Sequence, residues 1–329
     1  MSTTTALQIP PYDPELVANV PATMLLPLNN DDDFAAYEAA MPNMTVETIR
    51  PLLDQLGLVH EEITVAIPSG GLVISVVRPA DVQASAPAMY NIHGGGMILA
   101  NRFGSFFGDV LSWVAEMGLV VFSPEYTLAG PDARAPQAAE ECYAGLKWVM
   151  EHAPELSIDP QRMVIAGTSG GGGLAAAVAL LARDAGGPSL RGQMLMCPQL
   201  DDRHQSISSQ HFTLANGATD PWPGESNQYA WDRILGPGHE TAEVSIYQAP
   251  GRATDLSGLP PAFIDVGSNE VFRDPAIDYA SKLFAGGVVA ELHVWPGGFH
   301  GFDGLVPAAA VSQAAKKAQA DWLRRTVAA

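Results

Sequence analysis

Residues 163–175 read MVIAGTSGGGGLA, and this stretch decides the fold of the 329-residue chain. An apolar run with strand character leads into GTSGG at 167–171, and a run of small residues with helical character follows. This is the pattern G-x-S-x-G between a strand and a helix, in which a sharp turn lifts a nucleophilic serine above a sheet. A Cβ at Gly167 or Gly171 would crowd such a turn. We therefore predict that Ser169 is a nucleophile.

The alternative for a glycine-rich turn between a strand and a helix is a phosphate-binding loop. No Lys-Ser or Lys-Thr pair follows these glycines, as a P-loop requires, and the spacing is not that of the dinucleotide pattern G-x-G-x-x-G. The helix behind Ser169 also places its positive N-terminal end where negative charge would develop during acyl transfer. The sequence therefore favours the nucleophile.

The composition excludes several classes of partner. With 17 basic and 36 acidic residues the net charge is −19, which predicts no binding to nucleic acid or to anionic membranes. No apolar run reaches the length of a membrane span, and the first residues lack the pattern of a signal peptide. Cys142 and Cys197 lie in helix-like and strand-like runs, which indicates buried free thiols and a reducing compartment. We expect a cytoplasmic globular protein.

From residue 88 onward, strands and helices alternate. Before that, residues 61–67 and 72–77 predict a hairpin at a sheet edge. Alternation of this kind predicts an α/β fold, a mostly parallel sheet with helices on both faces. Six further strands are predicted at 88–92, 119–122, 163–166, 193–197, 262–266 and 290–294, and four helices at 106–117, 136–152, 172–184 and 275–285.

One segment interrupts this alternation. Residues 201–259 are rich in polar residues, prolines and bulky aromatic side chains, and they show no strong strand pattern. A surface loop of this length without structure is uncommon. We therefore expect an insertion that forms a cap over the strand ends together with the irregular residues 1–50. The catalytic core then comprises about 60–200 and 260–329 within a single domain, 1–329.

A second glycine-rich loop, His93-Gly94-Gly95-Gly96, follows the strand predicted at 88–92. Consecutive glycines leave backbone N–H groups free to approach an oxyanion, and a loop of this type before G-x-S-x-G is the lipase and esterase arrangement. We expect Gly95, Gly96 and Gly170 to supply the donors of an oxyanion hole. The alternative is a flexible turn, and for His93 itself we expect a structural role.

The general base should be a late histidine on a loop after a strand. His300 follows the last predicted strand and has glycines on both sides. Among the other histidines, His204 and His211 fall in the insertion, and four more sit in surface-like or strand contexts: His60, His152, His239 and His293. We predict His300 as the base.

Chain order places the orienting acid between Ser169 and His300. After the strand predicted at 262–266 two acids compete, Glu270 and Asp274. Asp274 precedes a proline and is typical of a helix N-cap, so we favour Glu270 and keep Asp274 as the alternative. Asp265 within the strand is expected to be structural.

Taken together, these motifs resemble the hormone-sensitive-lipase branch of the α/β-hydrolases, the bacterial family IV esterases. The resemblance runs from about residue 60 to the end and rests on HGGG at 93–96, EYTLA at 125–129, GTSGG at 167–171, the loop around Glu270, and HGF at 300–302. The family's acid loop is usually Asp-Pro-Leu-Arg-Asp, and EVFRD at 270–274 matches it with glutamate in the catalytic place. The resemblance implies an α/β-hydrolase fold with an eight-stranded sheet and a helical cap, and it suggests a homodimer.

Two departures from the family concern the pocket. Met97 follows HGGG where the family commonly has an aromatic residue, and Thr168 and Gly170 flank the serine where Asp and Ala are common. We place Met97 and Phe302 at the substrate pocket.

These residues predict a serine carboxylic-ester hydrolase that acts on small, uncharged, short-chain esters. Because neither H-E-x-x-H nor C-x-x-C occurs, we expect no metal and no cofactor. A lactonase, amidase or acyltransferase with the same triad is the first alternative. A non-catalytic receptor for small ligands on the same scaffold is the second.

Overall fold

The computed structural model describes residues 9–41, 44–106, 108–131 and 133–328. Over these residues the chain forms one eight-stranded sheet. Its strands are β1 (Leu58–Ile67), β2 (Gly70–Pro79), β3 (Ala86–Ile92), β4 (Val120–Pro124), β5 (Ile158–Thr168), β6 (Gly192–Met196), β7 (Ala262–Gly267) and β8 (Ala290–Trp295).

The strand order across the sheet is β1-β2-β4-β3-β5-β6-β7-β8. The pairs β1–β2 and β2–β4 are antiparallel, and every pair from β4 to β8 is parallel. The hairpin β1–β2 therefore lies at one edge and β8 at the other. The predicted α/β fold with a mostly parallel sheet of eight strands is confirmed.

Helices precede the sheet, connect its strands and follow its last strand. In chain order they are α1 (Pro14–Asn19), α2 (Asp31–Ala40), α3 (Val46–Leu56), α4 (Val110–Met117), α5 (Gln137–Glu151), α6 (Gly170–Asp184), α7 (Ile207–His211), α8 (Gly224–Leu235), α9 (Arg273–Ala285), α10 (Phe302–Leu305) and α11 (Ala310–Val327).

Alternate residues of the central strands pack in two separate apolar cores. In β3, Ala88, Tyr90 and Ile92 join one apolar cluster, whereas Met89 joins another. Successive side chains of a strand point to opposite faces, so these clusters lie on the two sides of the sheet. Every residue of β3 is buried, as expected for a strand covered by helices on both faces.

Some predicted element ends were wrong. β5 begins at Ile158 instead of 163, because Ile158 already pairs with Ala86. β6 ends at Met196, since Cys197 adopts a positive φ of 36° that no regular strand allows. α4 begins at Val110 instead of 106. Phe106 belongs to a short 3₁₀ turn, Gly108 has a φ of 74°, and residue 107 lies outside the described residues.

The insertion at 201–259 holds α7, α8 and several 3₁₀ turns, and none of its residues joins a strand of the sheet. Its large aromatic side chains supply its packing: Phe212, Trp222 and Trp231 are all buried. Tyr229 reaches across to the N-terminal region, where its hydroxyl donates to Asp31 Oδ1 at 2.7 Å. The insertion and the residues around α2 are therefore in direct contact.

The N-terminal residues divide between two locations. Near α1, the Asp13 N–H donates to the Gly297 carbonyl at 3.0 Å, and Leu16 packs in a small apolar cluster with Phe299 and Phe302. By contrast, α3 lies against the sheet, because its apolar stripe joins the core on one sheet face. Residues 12–20, which form a strap around α1, thus cover the loop that carries His300.

Among the described residues, no helix combines the length and the apolar character that crossing a lipid bilayer requires.

We predict that Leu16→Ala loosens the strap around α1 and lowers the free energy of unfolding by about 2–4 kcal/mol, since a fully buried leucine is truncated. Val17→Ala is the matched control, because Val17 is 41% exposed and its truncation should change stability by less than about 0.5 kcal/mol. Chemical denaturation followed by circular dichroism measures both. Equal losses for the two variants would contradict this view of the strap.

Candidate active site

Ser169 occupies the turn between β5, which ends at Thr168, and α6, which begins at Gly170. Its backbone has a φ of 58° and a ψ of −123°. This conformation is energetically unfavourable for any residue that carries a side chain. Three backbone hydrogen bonds hold it there. The Ser169 N–H donates to Met196 at 2.8 Å, and the Ser169 carbonyl accepts from Gly173 and Gln199, each at 3.0 Å.

Close backbone packing explains the glycines on both sides of this turn. A Cβ on Gly167 would lie 2.2 Å from the Gly171 carbonyl oxygen. A Cβ on Gly171 would lie 2.1 Å from the carbonyl oxygen of Ile92. Either atom would force the backbone apart, so the turn can exist only with glycine at both positions.

The structure brings Ser169, His300 and Glu270 together in a line of hydrogen bonds. His300 Nε2 lies 2.9 Å from Ser169 Oγ, and His300 Nδ1 lies 2.6 Å from Glu270 Oε2. The other carboxylate oxygen of Glu270 accepts from the Gly267 N–H at 2.6 Å. All three side chains are buried. With the proton on Nδ1, the neutral ring presents a free Nε2 lone pair to the serine hydroxyl.

Electrostatics favour a charged imidazole at His300. Burial disfavours the charged ring, but the carboxylate of Glu270 outweighs it by charge and by hydrogen bonding, with a smaller contribution from Asp220. The pKa of His300 is therefore raised above its ordinary value. A ring in this environment can accept a proton from Ser169 and remain stabilised while it holds it.

Asp274, the alternative acid, is hydrogen-bonded to groups other than His300. Its Oδ2 accepts from the Ser208 N–H at 2.7 Å, and its Oδ1 accepts from Arg273 Nε at 2.7 Å. The predicted N-cap role is wrong, because α9 begins at Arg273 and Phe272 is the capping residue. Asp274 thus falls within the first turn and ties α9 to α7.

The loop at 93–96 presses directly on the serine turn. A Cβ on Gly94 would lie 2.9 Å from the Thr168 carbonyl oxygen, and one on Gly170 would lie 2.7 Å from the Met97 nitrogen. Gly95 and Gly96 have φ values of 103° and 60°, in the region that favours glycine. The main chain from Gly95 to Met97 therefore lies beside Gly170, where backbone N–H groups from both segments can converge.

The side chain of His93 packs and hydrogen-bonds in a way that holds this loop in place. Its ring stacks on Tyr126 with centroids 4.1 Å apart, and its Nδ1 lies 2.8 Å from the Gly94 carbonyl. The Tyr126 hydroxyl donates to the His93 carbonyl at 3.0 Å. Burial lowers the pKa of His93 to about 4, so the ring is neutral near pH 7.

The two residues assigned to the pocket lie in different places. Met97 is buried, has a φ of 62°, and packs its methyl group against Gly173 at the start of α6. Phe302 packs in the cluster below the α1 strap and lines a small cavity behind Glu270. Met97 therefore lies on the serine side of the site and Phe302 on the side of the acid.

Two residues of the insertion lie at this site although no sequence motif predicted them there. The Trp222 ring lies over Gly96, where a Cβ would come within 2.5 Å of it, and its centroid is 6.3 Å from that of His300. Asp220 Oδ1 accepts from the Trp222 N–H at 2.8 Å. Burial raises the pKa of Asp220 to about 8, against the effect of the His300 charge. Neither residue belongs to a motif, so no local signal identifies them.

Two groups of described side chains offer three metal-ligating atoms within 4.8 Å of one another. One is Cys197, Glu270 and His300, which shares its residues with the hydrogen-bonded line. Cys197 and Cys142 are both free and buried, and burial raises the pKa of each thiol. The other group is Asp232, His239 and Glu240 in the insertion.

Comparisons with known proteins identify the family of this chain. A family model described as alpha/beta hydrolase fold matches residues 89–304. "Esterase LipI" of Mycobacterium tuberculosis is 32% identical over 311 residues, covering 93% of each chain. "Hormone-sensitive lipase" of Mus musculus is 36% identical over 105 residues, which are 32% of this chain and 14% of that protein. The solved structure "Bacterial Heroin Esterase" superposes with a TM-score of 0.83 and 34% identity, over 97% of this chain and 98% of that one.

We predict that Glu270→Gln lowers the pKa of His300, because it removes the main charge that raises it. Asp274→Asn should leave that pKa unchanged, since its carboxylate is bonded to Ser208 and Arg273. Titration of the imidazole nitrogens by NMR measures both. A fall of equal size in the two variants would refute the assignment of Glu270 as the partner.

Proposed function

This chain belongs to the α/β-hydrolase fold family, as a hormone-sensitive-lipase-like carboxylic ester hydrolase, and on that premise we propose that Ser169, His300 and Glu270 are its catalytic triad. The proposed substrates are small, uncharged esters with short acyl chains. The observation that carries the proposal is the unbroken line of hydrogen bonds from Ser169 Oγ through the His300 ring to Glu270.

The hydrogen bonds from Ser169 through His300 to Glu270 account for the acylation step. Ser169 Oγ attacks the ester carbonyl carbon while His300 Nε2 takes the hydroxyl proton. Glu270 keeps the other proton on Nδ1 and stabilises the imidazolium that forms. His300 then gives its proton to the departing alkoxide, and an acyl-serine remains. Water, activated by the same ring, releases the acid by the reverse steps.

Backbone donors stabilise the negative charge that develops on the carbonyl oxygen. We assign them to the N–H groups of Gly95, Gly96 and Gly170, since these two segments lie in contact beside Ser169. A single donor of this kind lowers the barrier by about 2.7–4 kcal/mol. The charge is met by fixed dipoles that need no rearrangement during the reaction.

The walls around Ser169 support a small substrate. Met97 is buried against α6 on one side, and the Trp222 ring covers Gly96 on the other. Both are large and apolar, and both lie beside the proposed oxyanion donors. We propose that residues up to about 50 that surround α1 and α2, together with 201–259, act as the cap and that Trp222 is its contact with the substrate.

The edge of the sheet supports the proposed homodimer. In the described residues β8 pairs only with β7. Phe284, Val289 and Val294 lie on or near this edge and expose large apolar side chains. An edge strand with apolar surface is commonly covered by another chain.

We predict that a fluorophosphonate probe labels the protein once, at Ser169, and that Ser169→Ala abolishes labelling and lowers kcat for p-nitrophenyl butyrate by about 10⁴-fold or more. Glu270→Gln should lower kcat by about 10²–10⁴-fold, since the imidazolium loses its partner. Asp274→Asn is the matched control and should retain most of the activity. A kcat for Ser169→Ala within about tenfold of the wild-type value would contradict the proposal.

We predict that Trp222→Ala enlarges the pocket and moves the preferred acyl chain from butyryl or shorter toward octanoyl, with a change of about tenfold or more in the ratio of kcat/KM values. Trp148→Ala is the control, because Trp148 stacks on His152 away from the site. Steady-state rates over a series of p-nitrophenyl esters provide the measurement. A wild-type enzyme most active on long-chain triglyceride emulsions would contradict the substrate class.

A further inference from the structure

A second cluster of chemically capable side chains lies in the insertion, away from Ser169. Asp232, His239 and Glu240 each present one ligand atom, and these atoms lie within 4.8 Å of one another. Asp232 is on α8, and the other two begin the 3₁₀ turn His239–Thr241. The expected surface-like or strand position of His239 is wrong, because its side chain is only 1% exposed.

The orientation of the His239 ring is fixed by a buried carboxylate. Its Nδ1 lies 3.0 Å from Asp202 Oδ2, and Arg252 holds the same carboxylate through two hydrogen bonds of 2.7 Å. Because Nδ1 of His239 faces the carboxylate that pairs with Arg252, Nε2 is the ring nitrogen that faces away from Asp202.

The other ring nitrogen of His239, Nε2, faces the carboxylates of Asp232 and Glu240. In the neutral ring, Nε2 is an acceptor, and it faces Asp232 Oδ1 at 3.5 Å. Metal-binding histidines commonly donate their second ring N–H to a carboxylate in the same way, which fixes the tautomer and makes the ligand nitrogen more basic.

The amide nitrogen of Gln228 lies between the three acceptor atoms. It is 2.7 Å from Glu240 Oε1, 3.3 Å from His239 Nε2 and 3.5 Å from Asp232 Oδ1. An amide NH₂ group has two hydrogens, so it cannot satisfy three acceptors at once. A cation at this point would satisfy all three, and the amide of Gln228, turned over, could add its oxygen.

A second histidine lies beside the cluster. The ring of His204 interacts electrostatically with both His239 and Glu240. Its Nε2 atom is buried, and among the described residues it has no hydrogen-bond partner. An imidazole nitrogen without a hydrogen-bond partner thus lies in the neighbourhood of the cluster, outside the three atoms that come within 4.8 Å of one another.

We infer that Asp232, His239 and Glu240 form a site for a divalent transition metal such as Zn²⁺, with His204 or water completing the coordination. Imidazole nitrogen and carboxylate oxygen are ligands of Zn²⁺ at about 2.0–2.2 Å. Asp232 is 38% exposed and Glu240 is half-buried, so both can move the short distance that closes the shell. The net charge of −19 further favours a cation.

The bound metal would cross-link the insertion. It would join α8 to the turn at His239, and through Asp202 to the loop that follows β6. The inference concerns binding and stability and does not depend on the triad. The cluster of Cys197, Glu270 and His300 offers the competing site, where a metal would engage a thiol and block the base.

The test uses the full chain, treated with EDTA and dialysed, then titrated at pH 7.5 with Zn²⁺ by calorimetry and with Co²⁺ by visible absorption. We expect one equivalent of metal with a Kd of about 1 μM or lower, no sulfur-to-cobalt band, and a rise in Tm of about 3 °C or more at saturating Zn²⁺. Esterase activity should persist in the metal-bound protein.

Isosteric variants locate the site. Asp232→Asn combined with Glu240→Gln should weaken binding by about 100-fold or more, and His204→Gln by about tenfold. Cys197→Ser should bind as the wild type does. Glu291→Gln is the matched control, because Glu291 forms a two-ligand pair with His293 at 3.0 Å, and its loss should change nothing.

Two results would overturn the inference. One is the absence of binding by the wild-type protein, which would mean that the amide of Gln228 closes the cluster. The other is binding that survives in the double variant but disappears in Cys197→Ser. Circular dichroism in EDTA checks that the double variant folds, and Asp232→Asn alone, at its partly exposed position, replaces it if it does not.

Discussion

Backbone packed against backbone is the constraint on which this site depends. Where α6 begins, the position of a Cβ on Gly171 lies 2.1 Å from the Ile92 carbonyl oxygen and 2.5 Å from that of His93. Because no side chain fits there, the end of β3 and the serine turn meet at main-chain distance. The strained φ of 58° at Ser169 is maintained by the same packing. The glycine loop and the serine turn are therefore held together by direct main-chain packing.

Acidic groups surround a single imidazole in the interior. A buried carboxylate is stable only when its oxygens are hydrogen-bonded, and those of Glu270 are bonded to the Gly267 N–H and the His300 ring. Asp220, whose pKa burial raises to about 8, interacts with His300 and is mostly protonated near pH 7. The negative charge around His300 raises its pKa and so favours the protonated state that the proposed mechanism passes through. Near pH 7 the electrostatic support for the base thus comes mainly from Glu270 in the core.

The insertion does more than cover the strand ends. Trp222 touches Gly96 and lies near His300, so one residue contacts both halves of the proposed machinery. Further along the same segment, α8 and its following turn are tied to the loop after β6 through His239 and Asp202. A metal at the inferred site would strengthen that tie and would hold the insertion against the core. Stability of the cap and the shape of the pocket would then be linked by packing through α8.

Local patterns in the sequence were enough to predict the fold and the chain order of the candidate residues. Strand periodicity, two glycine-rich turns and a late histidine are short-range signals, because each depends on neighbours within a few residues. The sequence favoured Glu270 over Asp274 without excluding Asp274. In the folded chain the Glu270 carboxylate faces His300, whereas the Asp274 carboxylate is bonded to Ser208. Asp220, Trp222 and the His239 cluster have no local signature. Their roles arise from how a long insertion folds back on distant residues, and that is a property of tertiary packing alone.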